Sequence, residues 1–175
     1  KTGAPHIPVM LNEVIETLAP GAGEIFIDGT FGAGGYTRAI LEAADCRVLA
    51  LDRDPDAIAE GAAHTGTYAG RMLLANVVFS AMETAATERG FVREEGVVPD
   101  LGVSSMQLDR AARGFSFQAD GPLDMRMSQS GQSAADIVNE EDEATIAAIL
   151  RTWGEERQAG RIARAIVRER EQTPI

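Results

Sequence analysis

The chain has 175 residues, 45% of them hydrophobic, which is enough for one domain with a buried core. Its formal net charge of −11 argues against a generally basic nucleic-acid binder. The single cysteine excludes a disulfide framework and fits a reducing, cytoplasmic location, and no apolar run approaches the length of a membrane span.

The first predicted strand ends in an acidic residue, and a glycine-rich loop follows it. The apolar run ends at Asp28, the loop contains Gly32, Gly34 and Gly35, and a helix is predicted over residues 37–44. Glycines in such a loop let the backbone approach a ligand closely. The dinucleotide pattern G-x-G-x-x-G is incomplete, because Thr37 stands at its third glycine position. The acid followed by G-x-G resembles instead the first motif of S-adenosylmethionine (SAM)-dependent methyltransferases; a turn without a ligand is the alternative.

A second strand–helix unit follows. Arg47–Leu51 is a compact apolar strand that ends in Asp52, and Asp54 with Pro55 is typical of a helix start. Asp52 lies close to the roughly 20-residue offset from the glycine loop at which an acid binds ribose hydroxyls. Helix-start acids stabilised by the helix dipole are the alternative, which we prefer for Asp54 and Asp56 but not for Asp52.

Two further strands are predicted, over residues 71–75 and 96–101. Phe79, in the loop after the third strand, is a candidate to stack on a ligand ring or to join the core. The fourth strand contains Pro99, which lacks the N–H that a central strand needs, and Asp100 follows it. Because parallel strands end at one edge of a sheet, the acids after strands one, two and four are predicted to converge there.

The C-terminal segment is rich in arginine. Arg157, Arg161, Arg164 and Arg168 have the spacing of one face of a helix, with apolar residues on a neighbouring face. Such a row can follow a phosphate backbone. A solvated face with ion pairs along the helix is an equally good interpretation from spacing alone.

Several ungapped blocks together carry a specific resemblance, which runs from about His6 to Ile175. They resemble the RsmH (MraW) family, bacterial small-subunit rRNA (cytosine-N4)-methyltransferases. The blocks are Asp28–Gly35, Leu51–Pro55, Asp100–Ser105, Arg113–Phe117, Asp120–Met127, Gly154–Arg157 and Arg161–Ile166.

The resemblance implies an α/β fold: a Rossmann-like class I SAM-dependent methyltransferase sheet with a helical insertion after the fourth strand. Residues 1–111 would form the first half of the SAM-binding domain, and residues 112–175 the insertion that recognises RNA. In the family the rest of the sheet follows the insertion. We therefore expect an incomplete sheet here, and a chain that is inactive alone and associates through its open edge.

The resemblance also implies which residues contact the cofactor, SAM. Tyr36 stands where relatives often have histidine, and Val77 and Val78 before Phe79 depart from the family pattern. The implied SAM contacts are Gly34, Gly35, Tyr36, Asp52, Phe79, Asp100 and Gln107.

The implied reaction is methyl transfer to the exocyclic N4 of a cytidine in small-subunit (16S) rRNA, free or in an assembling ribosomal subunit. Asp100 is the preferred catalytic acid, an acid within Asp120–Asp124 is the alternative, and Phe115 and Phe117 are candidates to stack on the target base. The predicted RNA contacts are Arg157, Arg161, Arg164 and Arg168. No metal site is predicted, and a homodimer is left open. A nicotinamide-dependent oxidoreductase and a non-catalytic SAM-binding module are the alternative functions.

Overall fold

The computed structural model describes residues 8–175. The chain forms two compact units. The first contains the residues up to Met106 together with Met127–Gln129, and the second contains Gln107–Arg126 and Ser130–Ile175. The division after residue 111 stays a prediction of the domain limits.

The first unit alternates strands and helices. Short 3₁₀ turns at Thr65–Tyr68 and Phe79–Ala81 flank the third strand, and the last helix, α5, crosses into the second unit. The elements are α1 (Leu11–Leu18), β1 (Ile25–Asp28), α2 (Gly35–Ala43), β2 (Arg47–Asp52), α3 (Pro55–Ala62), β3 (Met72–Asn76), α4 (Met82–Glu88), β4 (Gly96–Val98) and α5 (Ser105–Asp109).

Within residues 8–175, four strands form one parallel sheet in the order β3-β2-β1-β4. Asp28 at the end of β1 is aligned with Ala50 of β2 and with Val98 of β4. Asp52 at the end of β2 is aligned with Asn76 of β3. The predicted α/β fold, an incomplete Rossmann-like sheet, is confirmed.

The core lies on both faces of the sheet, because successive side chains of a strand point to opposite faces. Phe26 and Val48 belong to the cluster that includes Ile40 of α2. Ile27 and Leu49, one residue further along each strand, belong to the opposite cluster. Burial on both faces explains the continuous apolar runs of β1 and β2 in the sequence.

The fourth strand is shorter than predicted, and its end accounts for Pro99. The prediction over 96–101 is wrong beyond Val98, whose carbonyl accepts the N–H of Gly29 at 2.8 Å. The next N–H that points toward β1 is that of Asp100, and it donates to Oγ1 of Thr30 at 2.6 Å. The nitrogen of Pro99 therefore faces the side of β4 away from β1, where its missing N–H removes no bond to β1.

The second unit is helical. Its elements after α5 are a 3₁₀ turn at Ala111–Arg113 and the helices α6 (Ala134–Glu140), α7 (Glu143–Thr152) and α8 (Ala159–Arg170). A capping box starts α6, in which Ser133 and Asp136 bond each other's backbone N–H groups. The small core comprises Ile146, Ala147 and Ala163, with Leu150, Ile166 and Val167 packed against it.

The predicted helical face of arginines needs one correction. Arg161, Arg164 and Arg168 lie on α8, but Arg157 precedes the helix, so the expectation that it shares their face is wrong. The cause is the turn after α7, in which the N–H of Glu156 donates back to a carbonyl of α7 and delays the start of α8.

Within the described range, 8–175, no helix is both long enough and apolar enough to cross a bilayer.

Candidate functional site

Three strand ends meet at one edge of the first unit's sheet, which we call the carboxyl edge. Asp28 ends β1, Asp52 ends β2 and Asp100 lies two residues after β4. The parallel pairing of β1 with both β2 and β4 brings these ends together, as predicted. Ligands of open α/β sheets bind at such an edge.

Asp28 is fully buried at the carboxyl edge. Its carboxylate accepts hydrogen bonds from Oγ1 of Thr37 at 2.6 Å and from the N–H of Thr30 at 3.1 Å. Burial raises the pKa of Asp28 from its ordinary 3.8 to about 6, although these hydrogen bonds oppose the rise. The expectation that all three acids face one crevice is therefore wrong for Asp28, which instead ties β1 to α2.

Asp52 joins two loops of the carboxyl edge. Its Oδ2 accepts the N–H of Gly32 at 2.7 Å, and its Oδ1 accepts the N–H of Asp54 at 2.8 Å. The side chain is only partly buried, and burial raises the pKa of its carboxyl group. The backbone of Arg53 also bonds this carboxylate. Because a carboxylate offers about four acceptor positions, about one of them stays available. Asp52 can therefore accept a hydroxyl group while it fixes the glycine loop.

The glycine loop depends on the packing of Phe31. Gly34 has a φ of +76°, and a Cβ there would lie 2.7 Å from the Phe31 ring. A Cβ at Gly61, in α3, would lie 2.4 Å from the same ring. The absence of side chains at these two glycines thus leaves room for the Phe31 ring, which packs the loop against α3.

Gly35 and Tyr36 begin α2 and contact the chain that precedes α1. A Cβ at Gly35 would lie 2.1 Å from Cγ of Pro8. Tyr36 is buried, and its hydroxyl donates a short hydrogen bond to the carbonyl of Val9. Burial raises the pKa of the Tyr36 hydroxyl. Both residues have packing roles here, and their contact with a cofactor stays a prediction.

The remaining predicted cofactor residues differ in burial. Asp100 is exposed, and its backbone is held by Thr30 as described above. Phe79 is 54% exposed in its 3₁₀ turn, so it is not part of the core. Gln107 is buried in α5, within the second unit. Their roles toward a cofactor stay predictions.

Sequence reasoning missed the residues that support these acids. Thr30, just after β1, and Thr37, inside α2, donate hydrogen bonds to Asp28. Their positions in the sequence gave only a weak indication of this role. Gln129 donates from Nε2 to Oδ1 of Asp54 at 3.2 Å. Asp54 is buried and also caps α3, as predicted, by accepting the N–H of Asp56. Nothing local in the sequence could have found a contact that spans 75 residues.

In the second unit, an arginine surface is defined by four exposed arginines near and on α8. None of them forms an ion pair within residues 8–175. Two other arginines are engaged: Arg164 lies 3.5 Å from Glu143, and Arg170 donates to the carbonyl of Val138 at 2.7 Å. A fully ion-paired face is thus excluded within the described range. The members of the arginine surface are Arg151, Arg157, Arg161 and Arg168.

The loop before α6 contains the other candidate residues. Asp124 binds Arg126 at 2.6 Å, and this guanidinium holds the pKa of the Asp124 carboxyl below its usual range. Asp124 is therefore a poor proton acceptor. Phe117 is fully exposed and Phe115 is half-buried, so only Phe117 presents a complete ring.

The fold and the carboxyl edge define a class of α/β proteins, in which a Rossmann-like sheet has a glycine loop after β1 and an acid after β2. Comparison with known proteins identifies the family within this class. The profile of the MraW methylase family matches residues 3–175, and the chain belongs to this family.

Curated relatives agree with the family. The chain is 62% identical to a protein of Rhizorhabdus wittichii named ribosomal RNA small subunit methyltransferase H, over 97% of the chain and 52% of the relative. Proteins of the same name in Parvibaculum lavamentivorans and Xanthobacter autotrophicus are 56% and 58% identical, over 97% and 98% of the chain. Each of these alignments covers only 50% of the relative. The chain spans about half the length of the curated relatives it matches.

Proposed function

We propose that these residues form the cofactor-binding core and an RNA-contacting part of a SAM-dependent methyltransferase that modifies the N4 amine of a cytidine in small-subunit rRNA. The family match over residues 3–175 carries this proposal, because the matched relatives are named as small-subunit rRNA methyltransferases. Family membership also argues against the nicotinamide-dependent alternative.

The carboxyl edge fits an adenosyl ligand. Asp52 keeps acceptor capacity for a ribose hydroxyl, while its bonds to Gly32 and Asp54 fix its orientation. Asp52 would hold the ribose, and Gly34, Gly35, Tyr36, Phe79, Asp100 and Gln107 are the other proposed contacts.

Asp100 is the proposed catalytic residue. When bound, SAM supplies a methyl group that its sulfonium already activates. The cytidine N4 is a weak nucleophile because its lone pair is delocalised into the ring. An exposed carboxylate with an anchored backbone can accept a hydrogen bond from this amine and take the proton that the nitrogen loses. The target base must be unpaired or turned out of its stack to reach the site.

The arginine surface supports RNA as the substrate. Its four guanidinium groups have no carboxylate partner within residues 8–175, so contact with phosphates would not require an internal ion pair to break. Arg164 is a proposed RNA contact as well, but it starts from an ion pair with Glu143. Small-subunit rRNA and an assembling ribosomal subunit are both candidate partners.

Methyl transfer tests the proposal directly. These residues, in a protein of the relatives' full length, would be incubated with labelled SAM and small-subunit rRNA that lacks the modification. Mass spectrometry should find N4-methylcytidine at one position, and Asp100→Asn should lower the rate more than it lowers SAM affinity. Binding of SAM without any methyl transfer would favour the non-catalytic module. A thermal shift with NAD but not with SAM would favour the oxidoreductase.

A further inference from the structure

The turn between α7 and α8 exposes a large aromatic ring. Trp153 follows the last residue of α7 and is 83% exposed. It is the only tryptophan of the chain. A ring of this size is usually at least partly buried, because its apolar area is large. Its exposure leaves a large aromatic face available for stacking.

The backbone of this turn is constrained at three positions next to the ring. The N–H of Glu156 donates to the carbonyl of Leu150 at 3.0 Å, so the chain folds back on the end of α7. A Cβ at Gly154 would lie 2.8 Å from the same carbonyl oxygen, which leaves room for glycine only. Glu155 takes a φ of +50°, a strained conformation for a residue with a side chain. The exposure of Trp153 is thus a property of a constrained turn.

Three arginines lie near this ring in the sequence. Arg151 precedes it by two residues, Arg157 ends the turn and Arg161 lies in the first turns of α8. All three are exposed members of the arginine surface and have no ion pair within the described residues. An aromatic ring among free arginines matches a single-stranded nucleic acid, whose bases stack while its phosphates pair with cations.

The two glutamates of the turn do not cancel this charge. The carboxylate of Glu156 accepts the N–H of Gln158 at 2.6 Å, where it satisfies the start of α8. Glu155 is exposed. The two glutamates carry two negative charges against the three positive charges of the arginines, which leaves a net charge of +1.

We propose that Trp153 is a stacking site for an unpaired base of RNA, and that Arg151 and Arg157 contact the phosphates on either side of that base. The site rests on the proposed RNA substrate and adds to it a base-binding position outside the carboxyl edge. Stacking of this kind tolerates any base, so the site would bind the RNA strand without sequence preference. Recognition of the target cytidine would then occur at the carboxyl edge.

The fluorescence of Trp153 tests the site. Because the chain has one tryptophan, quenching of its emission reports on this ring alone. A single-stranded oligoribonucleotide should quench the emission, whereas an abasic strand of the same length should bind without quenching. Trp153→Ala should weaken binding of a dye-labelled oligoribonucleotide by about tenfold, and Trp153→Tyr should restore most of the affinity. The melting temperature should stay the same, since the ring is exposed.

Two results would overturn the site, and they can be told apart. Anisotropy that shows RNA binding without quenching would remove Trp153 from the interface and leave the proposed RNA substrate in place. Absence of RNA binding to the chain at any salt concentration would contradict both the site and the RNA role of the arginine surface.

Discussion

The two units differ in how their charged side chains are engaged. In the first unit, the carboxylates of Asp28 and Asp52 accept hydrogen bonds from neighbouring N–H and O–H groups. In the second unit, the four cations of the arginine surface are exposed and form no ion pairs within residues 8–175. Asp28 ties β1 to α2, whereas the fixed and only partly buried Asp52 suits a small ligand that must be held in one orientation. Free, solvated cations suit a polyanion, because their contacts release counterions and need no fixed geometry. The two units thus use charge in opposite ways, and each way can be tested.

The largest expected effect concerns the buried acid. The pKa of Asp28 is about 6 in the folded state and 3.8 ordinarily, so the native state binds the proton more tightly than the unfolded state. Stability should therefore fall as the pH rises from below 4 through 6, by on the order of 3 kcal/mol from this group. Urea unfolding at several pH values should show this fall, and Asp28→Asn should lack it.

A matched variant sharpens this test. Thr37→Val removes the hydroxyl that donates to Asp28, so the pKa of Asp28 should rise further and the fall in stability should extend to higher pH. Parallel pH profiles for the original chain and Asp28→Asn would show that Asp28 is not buried in the way described.

The next effect concerns the cofactor acid. Asp52→Ala should weaken SAM binding by about ten- to a hundred-fold, because it removes the carboxylate–hydroxyl bond and releases the glycine loop. Calorimetry on the folded variant measures this change. Asp56→Asn, which also removes one negative charge but lies in the first turn of α3, is the control and should bind SAM normally. Equal losses in the two variants would assign the effect to net charge alone.

A smaller effect separates free from paired arginines. Replacing Arg161 and Arg168 with glutamine should reduce the slope of log K against log salt for RNA by about two. Arg164→Gln should change the slope by less than one, because Glu143 already lies 3.5 Å from this guanidinium. Fluorescence anisotropy across a salt series measures both slopes, and SAM affinity should not change. An unchanged slope in the double variant would make the arginine surface an ordinary solvated face.

The smallest effect is that of the ion pair itself. Arg164 and Glu143 are 73% and 44% exposed, so Glu143→Gln should cost about 0–1 kcal/mol of stability. The same variant should strengthen RNA binding by less than about threefold, because Arg164 is released. Weaker RNA binding in Glu143→Gln would mean that Glu143 itself contributes to the RNA surface.

The order of elements was readable from the sequence, because apolar runs and helix-start residues are local signals. The run before Asp52 became β2, and Asp54 with Pro55 became the start of α3. The end of β4 was not readable, since it depends on where Gly29 and Thr30 of another segment place their hydrogen bonds.

The site was readable only in part for a similar reason. The position of Asp52 follows from spacing, but the burial of Asp28 depends on α2 and on strands that pair with both sides of β1. The contact of Gln129 with Asp54 joins distant segments and leaves no local pattern. Arg157 was wrongly assigned to the helical face of arginines, because helical periodicity alone does not show a turn that folds back.

The sheet order also sets the sequence of events in folding. Ile27 of β1 pairs with Leu49 of β2, a near neighbour in the chain, and with Val97 of β4, which is about three times farther away. Closing the longer loop costs about 1 kcal/mol more in chain entropy. We therefore expect β1, β2 and β3 to assemble first and β4 to join last. The part of the carboxyl edge near Asp100 would then be the last to become protected against amide hydrogen exchange.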